Sequence, residues 1–191
     1  AANAPPELKP EPTAPTPLKI HRYPERVAKL QAPDDLTTED EDGKGVIRIP
    51  AVACTSPTES TDKIVFMKTR DGGMNLHYKR WEMPEPFTYE FEAPKAGKYE
   101  LAAEVVTVNR EQFLLATVNG ATEPVRLKVP YTLGTWDESE PVTVTLKQGK
   151  NQLSFNRSIP EDIDFKKEAY KFAGPEFGGI TMKSFLLKPA N

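Results

Sequence analysis

Apolar and polar positions alternate from Phe87 to Phe155, in short runs separated by turn residues. In FTYEF and the residue after it, Phe87, Tyr89 and Phe91 share one face while Thr88, Glu90 and Glu92 share the other. A period of two is what a strand needs when one side meets a core and the other meets water. A turn at Ala93-Pro94-Lys95-Ala96-Gly97 leads into KYELAAEVVTV, and FLLATV is closed by Asn119-Gly120. VRLKV and VTVTLK follow, then a turn at Gln148-Gly149-Lys150-Asn151 and the run QLSF. Strands are predicted near 46–53, 62–69, 74–79, 86–93, 98–108, 112–118, 124–129, 140–147, 151–156 and 179–187. Short strands with turn signals between them make an all-β, antiparallel sandwich.

Two segments break the rhythm. Over 157–178, Ser158 and Glu161 fit a capping box, Pro160 a first turn and Gly174 a helix end, which predicts one short helix over 160–172 inserted before the last strand. At the other end, Pro5, Pro6, Pro10, Pro12, Pro15 and Pro17 fix extended backbone and remove amide donors, so an arm is predicted outside the sheets. Two readings of residues 1–33 stand: a plain spacer, or an arm that Ile20, Tyr23, Val27 and Leu30 anchor on neighbouring copies of the chain. The acidic stretch 34–42 fails as a calcium loop. With Gly43 at the sixth position, Thr38 stands first and Ile49 last, where carboxylates belong. It reads as a solvated linker, dividing the chain into an arm over 1–45 and a sandwich over 46–191.

Charge narrows the partners. The net charge of −3 lies in residues 1–45, which hold six Lys/Arg against nine Asp/Glu, while the rest balances at 19 of each. Nucleic-acid binding needs clustered cations, so no nucleic acid is expected. No apolar run is long enough to span a bilayer. A single cysteine, Cys54, can form no internal disulfide. Ala1-Ala2-Asn3-Ala4 resembles residues just after a signal-peptidase cut, which predicts a secreted or cell-surface protein.

Several stretches carry a resemblance. AGKYEL at 96–101, LLATVNG at 114–120, LGTWDESEPVTVTLKQGKNQLSF at 133–155 and GGITMKSFLL at 178–187 are similar to the C-terminal half of carbohydrate-binding modules of families six and thirty-five, which are galactose-binding-like. The match runs over about 86–187 and rests most on Trp136 and Gly149-Lys150-Asn151. It implies a jelly-roll-like sandwich in which Trp136 is a packing anchor. It also implies a glycan site on loops at one edge, where aromatic rings stack on sugars. The loop before the last strand is here the 157–178 insertion, which stands where that cleft would open. The modules open with an acidic stretch whose Glu helps hold structural calcium. No carboxylate lies between Val46 and Thr58, so no metal or other cofactor is expected.

Catalytic chemistry has little to stand on. The chain has two histidines, His21 and His77, one cysteine, and no metal-protease, nucleophile-elbow or phosphate-loop motif. It is therefore read as non-catalytic. Recognition is better supplied: Tyr78, Arg80 and Trp81, with Phe165, Tyr170 and Phe172 of the insertion, combine flat apolar faces with a planar donor fork. They suit a sugar or a partner surface, though Tyr78 and Trp81 also fit aromatics packed on the core. Two functions follow. One is an extracellular structural subunit that assembles with copies of itself through the arm, as in a filament. The other is a glycan-binding module that takes a partner enzyme or cell to a polysaccharide.

Overall fold

The computed structural model describes residues 39–41, 45–69, 73–79, 85–108, 110, 112–157 and 179–190. Their strands are β1 (Glu39–Glu41), β2 (Val46–Pro50), β3 (Ile64–Lys68), β4 (Met74–Tyr78), β5 (Phe87–Ala93), β6 (Gly97–Thr107), β7 (Phe113–Val118), β8 (Val125–Lys128), β9 (Asp137–Glu138), β10 (Val142–Leu146), β11 (Gly149–Asn156) and β12 (Ile180–Pro189). No helix occurs among the described residues. The predicted helix, the anchors of the arm, Arg80 and Trp81 lie outside them.

All pairings are antiparallel, and β12 is the spine of the larger sheet. One of its edges pairs with β6 from Ile180↔Thr107 to Pro189↔Tyr99. Its other edge is shared by β4 near its start and β2 further along, and these continue into β3 and β1. The far edge of β6 is likewise shared, by β10 and β9. The smaller sheet runs β5-β11-β7-β8.

The alternation in the sequence fixes which face turns inward. Phe87, Tyr89 and Phe91 of β5 are buried against Tyr99, Leu101, Ala103 and Val105 of β6 and their neighbours in one core cluster. At its centre Phe155 stacks on Phe185 with ring centroids 4.1 Å apart, and Tyr89 meets both rings edge-on. The hydroxyl of Tyr89 donates to the carbonyl of Ala51 at 2.6 Å, so the most buried phenol is not left unsatisfied.

Period two breaks once in β12. The register on β6 shifts between Met182 and Ser184, leaving Lys183 as an extra residue in a β-bulge. Ile180 and Met182 point into the core before the bulge, and Phe185 and Leu187 do so after it. Leu186 therefore belongs to the outer face, where simple alternation from Ile180 would have turned it inward. Two further strands depart from the predicted set. β9 is only two residues long, and β1 pairs part of the acidic stretch with β2, as in Asp40↔Ile47. That stretch is therefore not solvated linker throughout.

Candidate functional site

The bulge decides the chemistry of the larger sheet's outer face. Because Lys183 is inserted, both Lys183 and Ser184 reach Glu104 of β6. Lys183 Nζ lies 2.9 Å from Glu104 Oε1, and Ser184 Oγ donates to Oε2 at 3.1 Å. Arg48, outward on β2, places Nη1 2.8 Å from Ser184 Oγ and 3.4 Å from Glu104 Oε2. One carboxylate of β6 thus gathers side chains from two neighbouring strands, β2 and β12.

Trp136 stands beside this network. Its indole is 40% exposed, and Lys183 Nζ lies 5.9 Å from the ring centroid. With Arg48, Glu104, Asp137, Glu138 and Leu186 it lines a depression of about 360 Å³. The expectation that Trp136 is a packing anchor is thereby corrected. The reason is local: β9 pairs Asp137 and Glu138 with β6 at the sheet's margin, and the loop before it carries the indole over the outer face. That loop is held at its root by a reciprocal clamp. Thr107 N–H donates to Thr132 Oγ1 at 3.0 Å, and Thr132 Oγ1 donates back to the Thr107 carbonyl at 3.0 Å. A tight turn follows, with Thr135 N–H on the Thr132 carbonyl at 3.1 Å and left-handed backbone at Leu133 (φ 52°) and Gly134 (φ 91°).

The residues predicted from sequence are placed unevenly. Tyr78 is buried, its ring edge-on to Phe87 at 5.5 Å, and its hydroxyl accepts the Glu85 N–H at 3.0 Å. Burial pushes its phenol up to about 12. It belongs to the core and offers no face to a ligand, which corrects its place among the contact residues. Arg80, Trp81, Phe165, Tyr170 and Phe172, like Ile20, Tyr23, Val27 and Leu30, lie outside the described residues. Described residues that border two of those stretches nevertheless lie close together. Ile180 pairs with both Tyr78 and Thr107, and the Arg157 guanidinium lies 5.8 Å from the Tyr78 ring. Tyr78, Arg157 and Ile180 therefore share the end of the sandwich that carries the Thr107–Thr132 clamp.

A second depression, about 340 Å³, lies on the smaller sheet among Glu90, Glu92, Lys147, Lys150 and Gln152. The amides of Asn119 and Asn151, which also line it, are spent on the fold. Asn151 binds Lys147 N–H at 3.0 Å and the Lys147 and Gly149 carbonyls at 2.7 and 2.8 Å, and Asn119 binds Asn151 Oδ1 at 2.9 Å. Phe91, its one aromatic, is only 5% exposed. Nothing there can stack on a ligand.

Among the described residues, neither depression is lined by a histidine, cysteine, serine or threonine. Burial pushes the Cys54 thiol up to about 12, so it stays protonated. Among the described residues no group of His, Cys, Asp and Glu side chains is gathered to hold a metal. No helix long and apolar enough to cross a membrane occurs among the described residues.

No protein-family profile and no curated protein matches the sequence. Solved structures do match in fold. The C-terminal family 6 carbohydrate-binding module of a Zobellia galactanivorans laminarinase is 16% identical, with a TM-score of 0.53, covering 75% of this chain and 98% of its own. A family 35 module from Clostridium thermocellum is 16% identical, with a TM-score of 0.54 and coverages of 76% and 98%. The module CBM6cm-2 of Cellvibrio mixtus lichenase 5A, solved with cellotriose, is 18% identical, with a TM-score of 0.52 and coverages of 75% and 97%. Longer enzyme chains match too, and there the coverage is partial, 28% of one mannanase. At these identities the likeness is one of fold: the chain has the β-sandwich of family 6 and family 35 carbohydrate-binding modules.

Proposed function

We propose that this protein is a glycan-binding module whose ligand stacks on Trp136. One observation carries the reading: a large aromatic ring, 40% exposed, stands beside a depression lined with carboxylates and a guanidinium. A pyranose offers just those two surfaces, an apolar face of C–H groups for the indole and a rim of hydroxyls for the polar side chains. The fold supports the same reading, since its neighbours are carbohydrate-binding modules and one of them was solved holding cellotriose. Fold alone would not suffice, because one architecture hosts many functions. A secreted or cell-surface location agrees with a polysaccharide partner. Assembly through the arm rests on residues outside those described, and no described contact favours it.

Affinity electrophoresis tests the proposal. The full chain is expected to be retarded in gels containing a soluble polysaccharide, and Trp136→Ala to abolish the retardation. Its thermal midpoint should stay close to that of the parent, because the indole is half-exposed and outside the core cluster. Unchanged retardation in Trp136→Ala would remove the indole from the site.

A further inference from the structure

We infer that the Trp136 depression selects an uncharged polysaccharide over uronate-bearing or sulfated polymers. The inference rests on the reading of Trp136 as the stacking platform and adds the class of ligand. Three of the side chains lining the depression are carboxylates, Glu104, Asp137 and Glu138, and one is a cation, Arg48. That cation is engaged with Glu104 and Ser184. The ammonium groups nearby are engaged as well, Lys183 with Glu104 at 2.9 Å and Lys188 with Glu138 at 3.0 Å.

An incoming carboxylate or sulfate accepts hydrogen bonds and donates none. To bind here it would have to share a cation that a carboxylate already neutralises, with that carboxylate close to the incoming charge. A sugar hydroxyl both donates and accepts. It can donate to carboxylate oxygens in charge-assisted bonds without disturbing the Arg48–Glu104–Lys183 network. The rest of the molecule adds no pull on polyanions, since residues 46–191 hold as many acidic as basic side chains. The mixed-charge outer face therefore works as a filter for charge, with Trp136 supplying the contact common to all pyranoses.

The experiment runs the full chain through gels containing a mixed-linkage β-glucan, a galactomannan, polygalacturonate or a sulfated galactan, at low and at high salt. Retardation is expected in a neutral gel and insensitive to salt, with none in the polyanion gels. Asp137→Asn combined with Glu138→Gln should weaken binding of the neutral polymer by about tenfold. Asp137→Lys combined with Glu138→Lys should gain salt-sensitive retardation on polygalacturonate. Retardation of the parent on a polyanion, lost in Trp136→Ala, would overturn the charge class and keep the platform. Retardation in none of the gels, or retardation indifferent to Trp136→Ala, would overturn the platform itself and the inference with it.

Discussion

Leu133 and His77 show how single residues set the limits of this protein. Leu133 holds left-handed backbone, φ 52°, with its side chain 76% exposed. An L-residue in that region costs about 1–2 kcal/mol, and this side chain recovers little of it through burial. Asn tolerates the conformation better. Leu133→Asn is therefore expected to raise stability by about 0.5–1 kcal/mol in a denaturant titration. His77 is held close, with Nδ1 2.9 Å from Thr181 Oγ1, and a Cβ on Gly179 would come within 2.8 Å of its ring. Burial, with Lys79 adding to it, lowers the imidazole below its ordinary 6.5. The unfolded chain then takes up a proton near 6.5 that the fold resists, so protons favour unfolding. Stability from this group is intact above that pH and falls as the pH drops toward the lowered native value. Melting curves of His77→Gln and the parent should therefore converge in acid and separate again above neutrality. Trp136 was misjudged from sequence because the resemblance made it an anchor. Its neighbours Asp137, Glu138 and Glu140 offer no alternation, and Gly134 precedes it, which are the marks of a loop.

Among the elements, the bulge at Lys183 matters most. It keeps Phe185 and Leu187 in the core and puts two consecutive residues within reach of Glu104. Deleting Lys183 would remove the bulge and leave strict alternation, with Phe185 and Leu187 still inward and Ser184 and Leu186 still outward. That variant should keep cooperative thermal unfolding and lose the contact of residue 183 with Glu104. Lys183→Ala, which leaves the register alone, should stay within about 1 kcal/mol of the parent, as expected for an exposed pair. The ten predicted strands all occur, because each carries at least four residues of apolar periodicity or a turn signal at its end. The Asn119-Gly120 turn is left-handed at both positions, φ 51° and 70°, as that dipeptide predicts. β1 and β9 were illegible for a physical reason. They are two or three polar residues long and are held by the strand they pair with, so no pattern of their own marks them. The bulge was equally hidden, since SFLL reads the same in either register until β6 is beside it.

For the molecule as a whole, the question is how much of the chain the sandwich needs. Among the described residues the core cluster begins at Ile47 and ends at Leu187, and both sheets draw on this span for it. The first and last strands of the span are joined directly, Ile47 pairing with Leu187 and Ile49 with Phe185. Closure of the sandwich and the Arg48–Glu104–Lys183 network are therefore expected to stand without residues 1–33. Deleting residues 1–33 is expected to leave the thermal midpoint within a few degrees of the parent, a shift of about 1 kcal/mol or less. Retardation by polysaccharide should also survive, because Trp136 and every side chain that lines its depression remain. Light scattering on the same truncated chain tests the other reading of the arm: a loss of assembly there, with melting and polysaccharide retardation unchanged, would assign residues 1–33 to association and leave glycan binding to the sandwich. A large fall in the midpoint would instead show that the arm completes the fold, and the boundary drawn after residue 45 would have to be abandoned.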